Sequence, residues 1–207
     1  MGKKEILAIV ALVGIFFSLG FFSQKRKSIT IDEFAHLPAG YYYLRTGDFR
    51  LYHKNPPLVR LIASLPLLWS KPAFEPNLKK FPQTGWLPWF FATDFMIKNP
   101  KIYLKIFEQG RVMILLLGCL LAMVLYFSAR KRYGKKGALI SLFVFCLSPN
   151  MIAHSRIVTV DAGFALFLFL AVISLLEYWK KPNWISAICA GIFLGLAQIA
   201  KFTALLI

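Results

Sequence analysis

Apolar residues occur along this chain in long, nearly uncharged runs instead of recurring at the spacing of a single buried helix face. Five runs, Ile6–Phe22, Val112–Ser128, Ala138–Ala153, Ala162–Leu176 and Trp184–Ala200, come close to or reach the ~17–25 mostly apolar residues that a membrane-crossing helix needs, and they predict five spans. A last run, Phe202–Ile207, stops in mid-hydrophobic sequence. At ~1.5 Å per residue it cannot cross ~30 Å of hydrocarbon, so further spans are expected after it. The first run follows Lys3 and Lys4 and has no small-residue cleavage site behind it, which reads as an anchor and not a removed signal peptide.

Between the first and second runs lies a long segment, 23–110, with two shorter apolar stretches. Asn55-Pro56-Pro57 has the form of a helix N-cap followed by proline at the first helical position, and predicts a short helix over Leu58–Trp69. Trp86–Ile97 is the second stretch, with Trp86, Trp89, Phe90 and Phe91 suited to the headgroup boundary. Both are expected to lie along the membrane surface. The sequence has no internal repeat.

Composition agrees with this pattern. Of 207 residues 58% are hydrophobic, and the mean hydropathy is +0.61, which excludes an ordinary soluble domain. The expected fold class is therefore an all-α multi-span transmembrane bundle, with 23–110 as a long outer loop carrying surface helices. The formal charge of +16 comes from bases placed mainly between the apolar runs, where anionic headgroups lie. No zinc-finger, helix-turn-helix or RNA-binding signature accompanies them, so no nucleic-acid partner is expected. Cys119, Cys146 and Cys189 each fall in a different apolar run and read as small buried hydrophobes.

The short loops set the orientation. Arg130, Lys131, Arg132, Lys135 and Lys136 crowd one loop without an acid, and Lys180 and Lys181 mark another, so both read as cytoplasmic. The N-terminus is then cytoplasmic as well, while 23–110 and the loop from His154 to Asp161 face outward. Lys25, Arg26 and Lys27 oppose this by outnumbering Lys3 and Lys4, but a long loop translocates largely regardless of its charge.

Six of the nine acids, Asp32, Glu33, Asp48, Glu75, Asp94 and Glu108, lie in the long loop, and Asp161 lies at the outer end of the fourth span. An acid next to hydrocarbon usually has a partner or a task. In Thr30-Ile31-Asp32-Glu33-Phe34-Ala35-His36, helical spacing puts Asp32 and His36 on one face and turns Glu33 elsewhere. A capping box of Thr30 and Glu33 explains the cluster as well as catalysis does. Ser155-Arg156-Ile157-Val158-Thr159-Val160-Asp161 has the same two readings: Thr159 as a cap with Asp161 on the helix dipole, or a functional carboxylate. Arg111 and Lys201 can be explained as bases snorkelling to headgroups, and Gly191 with Gly195 as a helix-packing pair.

Taken in order, Asp32-Glu33-x-x-His36, Gly40-Tyr41, Gly47-Asp48-Phe49 and Asn55-Pro56-Pro57-Leu58 resemble the first outer loop of the protein O-mannosyltransferase family and the related bacterial aminoarabinose transferases. Ser148-Pro149-Asn150, Ala153-His154 and Thr159-Val160-Asp161 resemble that family's second outer loop, and Ala190-Gly191 through Ala200-Lys201-Phe202 its next conserved stretch. Asn55 departs from the pattern, since many relatives carry His or Lys before the Pro-Pro pair, whereas Arg60 matches a base that often follows it.

The resemblance implies the GT-C fold, with an outward active site that takes a sugar from a polyprenyl-phosphate donor and passes it to an acceptor hydroxyl on protein, lipid or glycan. Such a reaction needs a base for the acceptor and cations for the departing phosphate. The resemblance makes Asp32 the base, with Glu33 or Asp161 positioning acceptor or sugar. Arg111 and His154 come first as phosphate ligands, with Arg60, Lys54 and Arg156 behind them and His36 as a further binding candidate. Direct displacement inverts the anomeric centre and calls for no cofactor and no metal. Two other classes fit the composition: a transporter or lipid-carrier-binding protein, and a non-catalytic membrane scaffold. Mid-membrane acids would favour the former, but these acids lie in loops and at span ends.

Overall fold

A computed structural model describes residues 2–206, and among these every regular element is helical. The order is α1 (Lys3–Gln24), α2 (Ile31–Thr46), α3 (Leu58–Ser64), α4 (Leu67–Ser70), α5 (Leu87–Lys98), α6 (Tyr103–Leu147), α7 (Pro149–Ser155), α8 (Asp161–Lys180) and α9 (Trp184–Ala200), with 3-10 turns at Leu78–Lys80 and Phe202–Leu206. By length and composition α1, α6 and α8 can cross a membrane, and α9 is apolar but shorter. Their outer faces carry apolar side chains such as Leu7, Val10, Phe22, Val144 and Ile185 that only lipid or further protein could cover.

The 45-residue α6 contains the second predicted run and most of the third, folded against each other at Gly134. This residue has φ 68 and ψ −171, a conformation that favours glycine because it carries no Cβ. A Cβ on Gly118 would meet Ser155 Oγ at 2.5 Å, so the chain has doubled back between them. A straight helix would separate those residues by roughly 55 Å. The loop expected over 129–137 thus shrinks to a turn about one glycine. The third run ends earlier than expected, because Ser148 caps a new helix and Pro149 takes its first position: Ser148 Oγ accepts from Met151 N at 3.5 Å.

α1 packs along both arms of α6, with Phe16, Leu115, Tyr126, Leu142 and Cys146 at the centre of that core. α8 and α9 pack on each other, and α8 also touches α6. Nothing lies within 4 Å of a Cβ built on Gly191 or Gly195, so that pair packs on no helix among the described residues.

The long loop is more deeply seated than the sequence suggested. The Leu58–Trp69 stretch is split at Leu65-Pro66, and α3 is packed against α2, α6 and α9, with Val59, Arg60, Ala63 and Ser64 buried. It is part of the core and does not lie on the surface. The fit to α2 requires glycine at 40, because a Cβ there would fall 2.3 Å from both the Arg60 carbonyl oxygen and Ser64 Oγ. Asn55 does not cap α3; the helix starts after Pro57 with no side-chain cap. α5, at Leu87–Lys98, is close to the expected Trp86–Ile97 and rests on α2 through Phe91 and Phe95, leaving Trp86 exposed.

Polar side chains gather at the two ends of the bundle. At one end Glu5 accepts from Tyr126 and pairs with Arg130 Nε at 2.9 Å, while Glu177 pairs with Lys131 at 2.5 Å. The other end holds α2, α3 and the 156–160 loop.

Candidate functional site

Glu33 and Arg111 form the centre of the second end. Thr30 and Glu33 make the anticipated capping box at the start of α2. Glu33 goes further, accepting from Arg111 Nε at 2.7 Å, Arg111 Nη2 at 2.9 Å and Val158 N at 2.9 Å, besides Thr30 N and Thr30 Oγ1 at 3.0 Å each. Burial pushes its carboxyl pKa up, but the hydrogen bonds from Arg111, Thr30 and Val158 outweigh this and hold it below the ordinary carboxylate value. Arg111 spends its remaining donors on backbone carbonyls: Nη1 on Gln24 and Lys27 at 3.0 Å each, and Nη2 on Ser28 at 2.9 Å. All five guanidinium N–H groups are therefore used.

This geometry corrects two expectations. Arg111 has no donor left for a lipid phosphate, and Glu33, fully buried, has no lone pair aimed at a substrate. Together they tie the end of α1, the start of α2 and the 156–160 loop into one unit. Arg60 is likewise an internal anchor. Its guanidinium is buried, bonded to the Asn55 and Pro56 carbonyls and stacked 4.1 Å from the Tyr52 ring centroid. It shapes the loop that leads into Pro57, and with 1% of its surface exposed it offers no open face to a phosphate.

What stays open is different. Asp32, next to Glu33 in sequence, is exposed and makes no hydrogen bond within the protein among the described residues. One helical turn on, His36 is buried, with Nε2 3.2 Å from Tyr52 Oη and Nδ1 without a partner. Burial, followed by the nearby Arg60 charge, pushes His36 down to about 4, against the opposing pull of the Val158 backbone, Asp161 and Glu33. It is a neutral imidazole at ordinary pH. Burial raises the Tyr52 phenol, and the Asp32 charge adds to that rise while Arg60 opposes it. His36 is thus within electrostatic range of Asp161 and Glu33, and Tyr52 within range of Asp32.

Asp161 is the first residue of α8 and is half-exposed. Its Oδ1 accepts from Lys201 Nζ at 2.8 Å, and its Oδ2 lies 3.7 Å from His154 Nδ1. Thr159 is not the cap: Val160 holds that position, and Thr159 Oγ1 is buried without a partner. Lys201, expected to reach for headgroups, turns to this carboxylate across the α8–α9 pair. Lys54 is exposed with its ammonium 4.7 Å from the Trp89 ring centroid. Arg156 lines a separate recess beside the end of α1. Among the described residues no three His, Cys, Asp or Glu side chains converge as a metal site would need.

The assembled geometry is that of an all-helical membrane protein whose loop end carries an open carboxylate, a carboxylate–lysine–histidine group and a neutral histidine. The sequence profile described as dolichyl-phosphate-mannose-protein mannosyltransferase matches residues 86–207, over half of the chain. The chain belongs to that family, a family of membrane glycosyltransferases. Asp161, His154 and Lys201 lie inside the matched stretch, and Asp32 and Glu33 precede it. Comparison with curated proteins and with solved structures returns no significant match.

Proposed function

We propose that this protein transfers a sugar from a polyprenyl-phosphate donor to an acceptor hydroxyl on the extracytoplasmic side of the membrane, with Asp32 as general base. The observation that carries this reading is the contrast between adjacent carboxylates: Glu33 is wholly consumed by internal bonds, while Asp32 is exposed and uncommitted. Family membership supports glycosyl transfer in general. The basic Arg130–Lys136 turn supports a cytoplasmic assignment for the opposite end, and hence an outward site, with the N-terminus inside.

In the proposed reaction the Asp32 carboxylate takes the proton of the acceptor hydroxyl as that oxygen bonds to the anomeric carbon. The bond from the anomeric carbon to the phosphate oxygen breaks, and its electron pair leaves with the lipid phosphate. Arg111 and Arg60 being engaged, the phosphate falls to Lys201 and His154. Lys201 has three donors and uses one on Asp161, and His154 is about half-exposed. Asp161 then positions the lysine. The displacement inverts the anomeric carbon and uses no cofactor.

Asp32→Asn tests the reading. Asparagine keeps the size and the place near a helix N-terminus but cannot accept the proton. Transfer from a polyprenyl-phosphate sugar should fall about 10²–10⁴-fold, with expression and thermal stability unchanged. Transfer within a few-fold of the parent would remove Asp32 as the base.

A further inference from the structure

We infer that the recess between the end of α1 and Arg156 holds the phosphate headgroup of an anionic phospholipid of the surrounding bilayer. The recess, about 890 Å³, is lined by Lys25, Arg26, Lys27 and Arg156 together with Leu19 and Phe22 of α1. Four cations face it with no carboxylate among its walls. Among the described residues none of the four makes an ion pair. The Arg156 guanidinium makes no hydrogen bond within the chain among the described residues, its Nε included, so it is not committed elsewhere. Leu19 and Phe22 are exposed beside these bases, so an apolar wall adjoins a cationic one, as a headgroup with its acyl chain requires.

The cationic wall is held in place from inside. Arg111 grips the carbonyls of Gln24, Lys27 and Ser28, so the turn that carries Lys25–Lys27 is fixed at both of its ends. Glu33 accepts from Val158 N, two residues after Arg156, and so ties the second contributor to the same buried pair. Four like charges are thereby kept close together, an arrangement that repels itself until an anion arrives. Lipid is the occupant because the recess opens beside the exposed apolar face of a membrane-length helix. This assignment is independent of the transfer reaction proposed above.

Native mass spectrometry of the detergent-solubilised protein, titrated with phosphatidylglycerol or phosphatidylcholine, tests the assignment. Each base near an anionic surface strengthens association about fivefold. Neutralising Lys25, Arg26 and Lys27 together to Gln should therefore lower phosphatidylglycerol retention roughly tenfold or more, and leave phosphatidylcholine retention as it was. Arg156→Gln alone should lower it several-fold, and Arg156→Lys should restore part of that loss. A control pair at the opposite end, Lys131→Gln with Lys181→Gln, should change the preference less than twofold. Equal retention of the two lipids by the parent would overturn the assignment, as would an equal loss in the control pair. Displacement of phosphatidylglycerol by equimolar inorganic phosphate would give the recess to a free anion, and displacement by equimolar polyprenyl phosphate would give it to the sugar carrier. Either result refutes a bilayer phospholipid as occupant.

Discussion

Replacing Glu33 by Gln changes one oxygen to nitrogen, yet it should be among the most damaging single substitutions in the chain. Oε1 receives Arg111 Nε and Val158 N, while Oε2 receives Arg111 Nη2, Thr30 N and Thr30 Oγ1. A glutamine amide must set its NH₂ against one of those groups. In either orientation it meets two N–H donors that cannot turn round. The guanidinium, 3% exposed, also loses its one counter-charge among the described residues. Removing one partner of a buried ion pair costs about 3–5 kcal/mol, and for a chain of this size each kcal/mol lowers the unfolding midpoint by about 2–4 °C. Glu33→Gln should accordingly unfold about 6–20 °C below the parent in detergent, whereas Asp32→Asn, one residue away, should stay within about 0.5 kcal/mol. A thermal melt followed by tryptophan fluorescence or by loss of monodispersity measures both. A Glu33→Gln midpoint within a degree or two of the parent would refute the claim that this pair holds the loop end together.

Other outcomes follow from the same contacts. Gly40→Ala puts a methyl group into the Arg60 carbonyl and Ser64 Oγ, so α2 and α3 must separate, at a cost of about 1–3 kcal/mol in the same melt. His36, held at about 4, binds fewer protons when folded than when unfolded between about pH 4 and its ordinary 6.5. Stability should therefore rise with pH across that window, by about 3 kcal/mol in total, and His36→Gln should flatten the rise in melts taken at successive pH values. Lys201→Met should lower sugar transfer at least tenfold while Lys201→Arg retains part of it, because in the proposed reaction the charge beside Asp161 receives the departing phosphate; equal activity in both variants would place the phosphate elsewhere.

Hydrophobic runs located the long helices well, because burial in lipid makes a helix apolar all round and leaves a signal that needs no partner. Trp184–Ala200 was read to the residue, with Asn183 capping it through Ser186. Inside the long loop the same signal misled. The α3 stretch is apolar because it is buried under α2, and no single-sequence period separates that from contact with a membrane surface. The site was legible in part. The Thr30–Glu33 spacing announced a capping box, but nothing local says that Arg111, 78 residues on, completes the coordination of Glu33. An arginine at the mouth of a span looks the same whether it faces a phosphate or a buried glutamate. Lys201 was read as a snorkelling base for a similar reason: its partner Asp161 lies 40 residues away. Tyr52, the neighbour of His36, gave no signal beyond its place between two recognisable motifs.

The pins between α1 and the first arm of α6 are evenly matched along the two helices. Glu5 meets Arg130 at one end, and Gln24 meets Arg111 at the other, the contacts standing 19 positions apart on each helix. At ~1.5 Å per residue both intervals are about 28 Å, close to the ~30 Å thickness of bilayer hydrocarbon. Two helices tied at a single end can slide or splay against each other as bilayer thickness changes, whereas two helices riveted at both ends cannot. The pair therefore keeps a fixed length between its polar ends, and meets a bilayer of another thickness as one unit, by tilting together or by deforming the lipid around it.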